Sequence, residues 1–284
     1  MHGANVRPGM RPGGVAGAEA KSVTIQEVST ASQQAGADDA DRLAKETGAP
    51  VPHKKQRGAP WPVHFWRSAI GKKWVMAVTG IMLLGFVLVH MIGNLKVFLS
   101  AREVDQYGEW LRTILEPALP RTVFLWILRV GLIGAFFLHI TSAYQLTRMN
   151  HAARPVKYKG GRTYVAADFA SRTMRWTGII IGLFLVYHLA DLTWGTLNPH
   201  FVRGAPYENM VQSFNKWYIA AIYIVANIAL GIHIFHGAWA MFQSLGLNNP
   251  SYNRARRYFA TGFAALITIG NVSIPIAVLT GAVS

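Results

Sequence analysis

Five long apolar runs govern what this chain can become. They extend from about Lys73 to Leu99, Arg121 to Leu146, Arg175 to Trp194, Trp217 to Leu245 and Tyr258 to Val283. At about 1.5 Å of rise per residue, a helix over any of them can cross roughly 30 Å of hydrocarbon. Each run is too long for a membrane strand. Lipid also leaves open backbone groups without water, so a helical transmembrane bundle is expected. Composition agrees: 51% of residues are hydrophobic and only 14% are charged, less charge than a soluble domain carries. Pro275 lies inside the last run and is expected to kink it.

The remainder of the chain sorts around these runs. Residues 1–60 are rich in Gly, Ala, Pro, Ser and charge without a sustained apolar period, which predicts a disordered tail. Residues 61–284 form the anchor domain. No cleavable leader is expected, because the first apolar run begins only near Trp74. The chain has no cysteine, so it forms no disulfide and offers no thiolate to an iron–sulfur cluster.

The net charge of +15 is distributed in short loops beside the apolar runs rather than along one stripe. That pattern belongs to the positive-inside rule and argues against nucleic-acid binding. Arg148, Arg154, Lys157, Lys159, Arg162, Arg172 and Arg175 face only Asp168 between runs two and three, and Arg254, Arg256 and Arg257 separate runs four and five. After run one, Glu103, Asp105, Glu109 and Glu116 offset the arginines. The expected topology in the cell membrane therefore has a cytoplasmic N-terminus and an external C-terminus. Trp194, Trp217 and Tyr218 fall at the outer interface.

Four of the runs each carry a histidine: His90, His139, His188 and His233, with His236 one turn after the last. Ionisable residues within a bilayer are costly and mark functional sites. Measured from the charged edges, His90 lies roughly 25 Å and His188 roughly 20 Å from the inner side. His139 lies roughly 27 Å and His233 roughly 25 Å from the outer side. The set sorts into an outer pair, His90 with His188, and an inner group of His139, His233 and His236. Each layer offers one imidazole from each of two helices, as bis-imidazole haem requires. Gly85, Gly93, Gly131, Gly134, Gly178, Gly182, Gly231 and Gly237 could admit a macrocycle or serve close helix packing. His2, His53, His64, His151 and His200 lie outside the runs and are given no role.

Several stretches resemble a known family. Ser68-Ala69-Ile70-Gly71-Lys72-Lys73, continuing through Met76, Thr79 and Gly80 to His90-Met91-Ile92-Gly93-Asn94-Leu95, is similar to the first helix of the succinate dehydrogenase cytochrome b subunit, in its single-anchor, five-helix branch. Leu138-His139-Ile140 with Ala143-Tyr144-Gln145-Leu146 resembles its second helix. Ser171-Arg172, Met174-Arg175, Thr177-Gly178, Tyr187-His188-Leu189 and Asp191-Leu192 resemble the third. Gly231-Ile232-His233, His236-Gly237 and Phe242-Gln243-Ser244-Leu245-Gly246 resemble the fourth.

The resemblance implies a membrane anchor that is not an enzyme by itself. It would hold a flavoprotein and an iron–sulfur subunit, and pass electrons from succinate to a quinone, menaquinone or ubiquinone. It implies two haem b groups on His90, His139, His188 and His233, with Arg175 placed for a propionate. Glu116 falls nearest the acidic position linked to quinol chemistry. Ser68 and Lys72, with Trp66 and His64, could line a quinone pocket near the iron–sulfur partner. The extra His236 leaves a Rieske-like [2Fe–2S] centre open as an alternative. A di-haem anchor of another quinone-linked dehydrogenase and a histidine-relay transporter are further alternatives. A higher oligomer of the complex is also compatible with the sequence.

Overall fold

The structure is a computed structural model. It describes residues 60–153, 165–247 and 249–284, together with Asp39 and Arg42; within 165–172 only the backbone is described. The chain divides into Met1–Ala59 and Pro60–Ser284, and the account below concerns the second unit. The expected tail lies almost wholly outside the described residues, as do Arg154, Lys157, Lys159 and Arg162 of the basic connection.

The described residues of the second unit form eight α-helices, and no strand occurs among the described residues. They are α1 (Trp61–Arg67), α2 (Ala69–Asn94), α3 (Ala101–Thr113), α4 (Val123–Ala152), α5 (Val165–Leu192), α6 (Pro206–Phe214), α7 (Trp217–Ser244) and α8 (Asn253–Leu279). Five segments are long and apolar enough to cross a membrane: Ala69–Phe98, Val123–Ala152, Thr173–Leu192, Trp217–Ser244 and Pro250–Leu279. The expected all-α transmembrane bundle is therefore the observed one.

The helix ends follow local chemistry. Ser68 caps α2, its Oγ accepting from the Gly71 amide at 2.9 Å. Ser100 and Glu103 stand in the Ser-x-x-Glu spacing that begins helices, and Ser100 Oγ accepts from the Glu103 amide at 3.2 Å. Pro206 opens α6, where its missing N–H is no loss. The last helix starts earlier than hydropathy suggests. Arg254, Arg256 and Arg257 belong to the first turns of α8 rather than to a loop. Arg256 is buried there, its Nη1 donating to the Leu247 carbonyl at 2.9 Å and its guanidinium lying 4.8 Å from the Trp239 ring. The helix continues through Pro275, which is buried.

The packing sets α2 against α4, α5 against α7, and α8 against α7 and α2; α2 also meets α7. Met91, Ile234, Ala264 and Ile267 fill the junction of α2, α7 and α8. A methyl group on Gly231 would collide with Thr268 Oγ1, and one on Gly270 with Met91 Sδ. Small residues thus let the backbones come close where no hydrophobic effect drives them together. At one end of the bundle α3 and α6 lie together over a second apolar cluster of Val97, Val104, Met210, Phe214, Tyr223 and Ile274. Large apolar side chains such as Phe137, Leu183, Val186 and Ile269 remain exposed along the spans, as expected of surfaces that face lipid.

Candidate functional site

The depth count placed four histidines in two layers, and the fold shows what each ring meets. In the outer layer, the rings of His90 on α2 and His188 on α5 lie 5.8 Å apart, centroid to centroid, and nearly perpendicular at 85°. Two imidazole nitrogens at about 2.0–2.1 Å from one metal put the ring centres roughly 6 Å apart. His90 also stacks on Phe86 at 5.3 Å. His188 Nδ1 is 3.3 Å from the Tyr223 hydroxyl.

In the inner layer, each histidine is held by a threonine of the helix it packs against. His139 Nδ1 lies 3.1 Å from the Met76 carbonyl and 3.3 Å from Thr79 Oγ1. His233 Nδ1 lies 3.2 Å from Thr177 Oγ1, and the Met174 backbone also hydrogen-bonds the ring. Thr79 sends its only proton to the Val75 carbonyl at 2.7 Å, and Thr177 sends its own to the Thr173 carbonyl at 2.7 Å. Both oxygens are left to accept, and a carbonyl can do nothing else. Nδ1 must therefore be the protonated nitrogen in both rings, and Nε2 keeps its lone pair.

The glycine beside each threonine completes the contact. A Cβ on Gly80 would stand 3.5 Å from His139 Cε1, and one on Gly178 would stand 3.6 Å from His233 Cε1. One unit thus occurs twice. Met76, Thr79, Gly80, Ile81 and His90 follow the same spacing as Met174, Thr177, Gly178, Ile179 and His188. The threonines were not singled out by hydropathy, since a hydroxyl in an apolar run hydrogen-bonds its own helix and passes as filler. Their repetition ahead of a histidine was the available signal.

This arrangement fits a metal-centred group in several respects. A ligating histidine normally gives its other ring N–H to a fixed acceptor, and His139, His188 and His233 all have such an acceptor. Gly85, Gly131, Gly134 and Gly182 have nothing within 4 Å of a would-be Cβ. Ser142, one turn after His139, has a buried Oγ without a partner among the described residues. Two of the glycines expected to make room do not. Gly93 is filled by Tyr107 and Gly231 by Thr268, so these two serve helix packing. No group of three His, Cys, Asp or Glu side chains that could share one metal occurs among the described residues. His90 and His188 meet as a pair.

The remaining candidates are scattered. His236 is half-buried, with its ring 5.0 Å from Phe235. Arg175 is exposed at the α4–α5 end, with Nη1 3.5 Å from His151 Nε2. Ser68, Lys72 and Trp66 do come together: Lys72 is buried, donates to the Trp66 carbonyl at 2.6 Å and lies over the Trp66 ring at 5.3 Å. Its charge is spent on α1, fastening that helix to α2. His64 is exposed. Glu116 stands in the exposed connection between α3 and α4.

Residues 159–270 match the family model for the succinate dehydrogenase/fumarate reductase transmembrane subunit. Over that stretch the chain is similar to this family. The matched region takes in α5, α6 and α7 whole and most of α8, and so includes His188, His233 and His236; His90 and His139 precede it. No curated protein and no solved structure matches the chain. The match supports a membrane-anchor subunit of the succinate dehydrogenase or fumarate reductase kind, in keeping with the five apolar spans.

Proposed function

We propose that this subunit carries electrons between an iron–sulfur partner and a membrane quinone, through two haem b groups held by His90 with His188 and by His139 with His233. The reading rests most on one observation: three of the four rings, each on its own span, have Nδ1 committed to an oxygen and Nε2 free. Packing alone does not call for that uniformity. A haem supplies one-electron redox chemistry at its iron. The chain's own part is to orient the imidazoles, exclude water and keep the two layers apart.

The pairing of the histidines favours two bis-imidazole sites over a Rieske-like centre. The latter needs two further thiolate ligands, and this chain has no cysteine. The flavin and succinate sites belong to a flavoprotein partner. On this reading the exposed arginines near the α4–α5 connection face the cytoplasm, where the iron–sulfur subunit docks, and the α3–α6 end faces outward. Arg175 is positioned at the cytoplasmic edge to pair a propionate. Ser68 and Lys72 border the region nearest the docking face, and Glu116 supplies an acidic group at the outer end for quinol protons.

The deciding experiment is a reduced-minus-oxidised visible spectrum of the complex, with iron and acid-labile sulfide assays. A sharp b-type α-band is expected. Acid-labile sulfide beyond what the iron–sulfur subunit holds, with no α-band, would favour the cluster. Absence of both would remove the redox reading and leave a proton-relay transporter as the better account. His139→Ala and His233→Ala should each abolish quinone reduction while succinate oxidation by an artificial acceptor persists.

A further inference from the structure

We propose that Asp191, acting through Tyr223, is the positioning residue that fixes the ring orientation and tautomer of His188. The inference rests on reading His188 as a metal ligand, and it adds a requirement that the family match does not contain. Asp191 is the one acidic residue within the five membrane-crossing segments, and its relative exposure is 0%. An acidic side chain at such a place is a functional residue by default, and its burial is costly unless its oxygens are satisfied.

Hydroxyl groups satisfy them. Ser213 Oγ donates to Oδ1 at 2.8 Å and Tyr223 Oη donates to Oδ2 at 2.9 Å. Asn198 Nδ2 in turn donates to Ser213 Oγ at 3.4 Å. No ion pair to Asp191 occurs among the described residues. The carboxylate's influence is therefore directed into these two hydroxyls.

The order of donors leaves one outcome at the far end. Tyr223 has a single hydroxyl proton, and Asp191 takes it. The Tyr223 oxygen can then only accept, and the group facing it is His188 Nδ1 at 3.3 Å. His188 must carry its proton on Nδ1 and keep the Nε2 lone pair, the form that can bind a metal. Phe184 and Phe214, with ring centres 5.0 and 4.7 Å from that of Tyr223, hold the phenol in place. In the inner layer a backbone carbonyl or a threonine does the same task. The outer layer uses a carboxylate two bonds removed, which also makes the imidazole more basic.

Asp191→Asn reverses the order. Ser213 still needs an acceptor and keeps the amide oxygen, so the amide NH2 turns to Tyr223. The tyrosine proton is then released towards His188 Nδ1, and the bare nitrogen moves to the wrong side. Tyr223→Phe removes the acceptor altogether. Both variants are to be made in the whole complex, and the visible spectrum followed during redox titration; His90→Ala identifies which wave belongs to the outer layer.

Each variant is expected to weaken retention of the outer group by about 10- to 100-fold, or to move its midpoint to more positive potential by roughly 59 mV, a tenfold change in the one-electron equilibrium. The inner wave should stay where it is. Two unchanged waves in both variants would overturn the proposal, and so would loss of both waves from both variants, since that is a fold defect rather than an effect on His188. A complex that shows no wave before any substitution would instead overturn the proposed function.

Discussion

Thr177 holds His233 from the neighbouring helix at 3.2 Å, and it does so at the same step of its helix as Thr79, which holds His139 at 3.3 Å. The two contacts are matched in reserve too: Met174 stands to His233 as Met76 stands to His139. Thr177→Val and Thr79→Val should therefore each weaken retention of the inner group by a similar factor, up to about 10-fold. Iron per complex and the inner redox wave check this. No effect from either variant would mean that the threonines do not act on the rings.

Room for a bound group and room between helices can be separated by adding methyl groups. Gly85→Ala enters open space, whereas Gly231→Ala meets Thr268. The second should cost about 1–3 kcal/mol, in the manner of an overpacked core, and lower the Tm of the detergent-solubilised complex. The first should leave Tm unchanged. If Gly85→Ala nonetheless reduces the bound haem, the open space is part of its cradle.

Glu103 gives a pH signature at the α3 end. The hydrogen bond and charge of Lys96, at 2.8 Å, hold its carboxyl below the ordinary glutamate range. A depressed folded value means stability that is present above the ordinary range and lost as pH falls through the lowered one. The contact is exposed and its contribution is small. Glu103→Gln should lower Tm slightly at neutral pH, and the difference should vanish in strong acid and shrink in high salt. A difference that persists in strong acid would assign the effect to packing.

Lys72 offers a test of attachment. Its ammonium donates to the Trp66 carbonyl and lies over the Trp66 ring. Lys72→Met should loosen α1, which limited proteolysis near Arg67 would report, while leaving the spectrum of a bound haem intact. Loss of quinone reduction without any change in proteolysis would favour direct contact with quinone.

The spans were legible because twenty apolar residues in a row have few physical solutions. The meeting of His90 with His188 was legible because depth follows from rise per residue. What escaped was short or shared between helices. α3 and α6 are too brief and too polar for a hydropathy reading, though Ser100 with Glu103 and Pro206 mark their starts. Arg256 reads as loop charge, yet its guanidinium is buried against Trp239. Asp191 and Tyr223 are separated by a loop and a whole helix in the chain, so their meeting at 2.9 Å has no local signature. Histidines in apolar runs announce themselves by type; the groups that orient them are ordinary hydroxyls.

His236 has a counterpart in the other half of the bundle. Counting on from His139 as His236 is counted from His233 leads to Ser142, whose buried hydroxyl has no partner among the described residues. Two helix pairs that share the Met-Thr-Gly-Ile-His spacing thus carry an imidazole in one and a hydroxyl in the other at this matched position. Exchanging the two side chains would alter the neighbours of each inner ring while keeping the chain's composition constant. The bundle therefore contains its own control: each half is the background against which the other can be read.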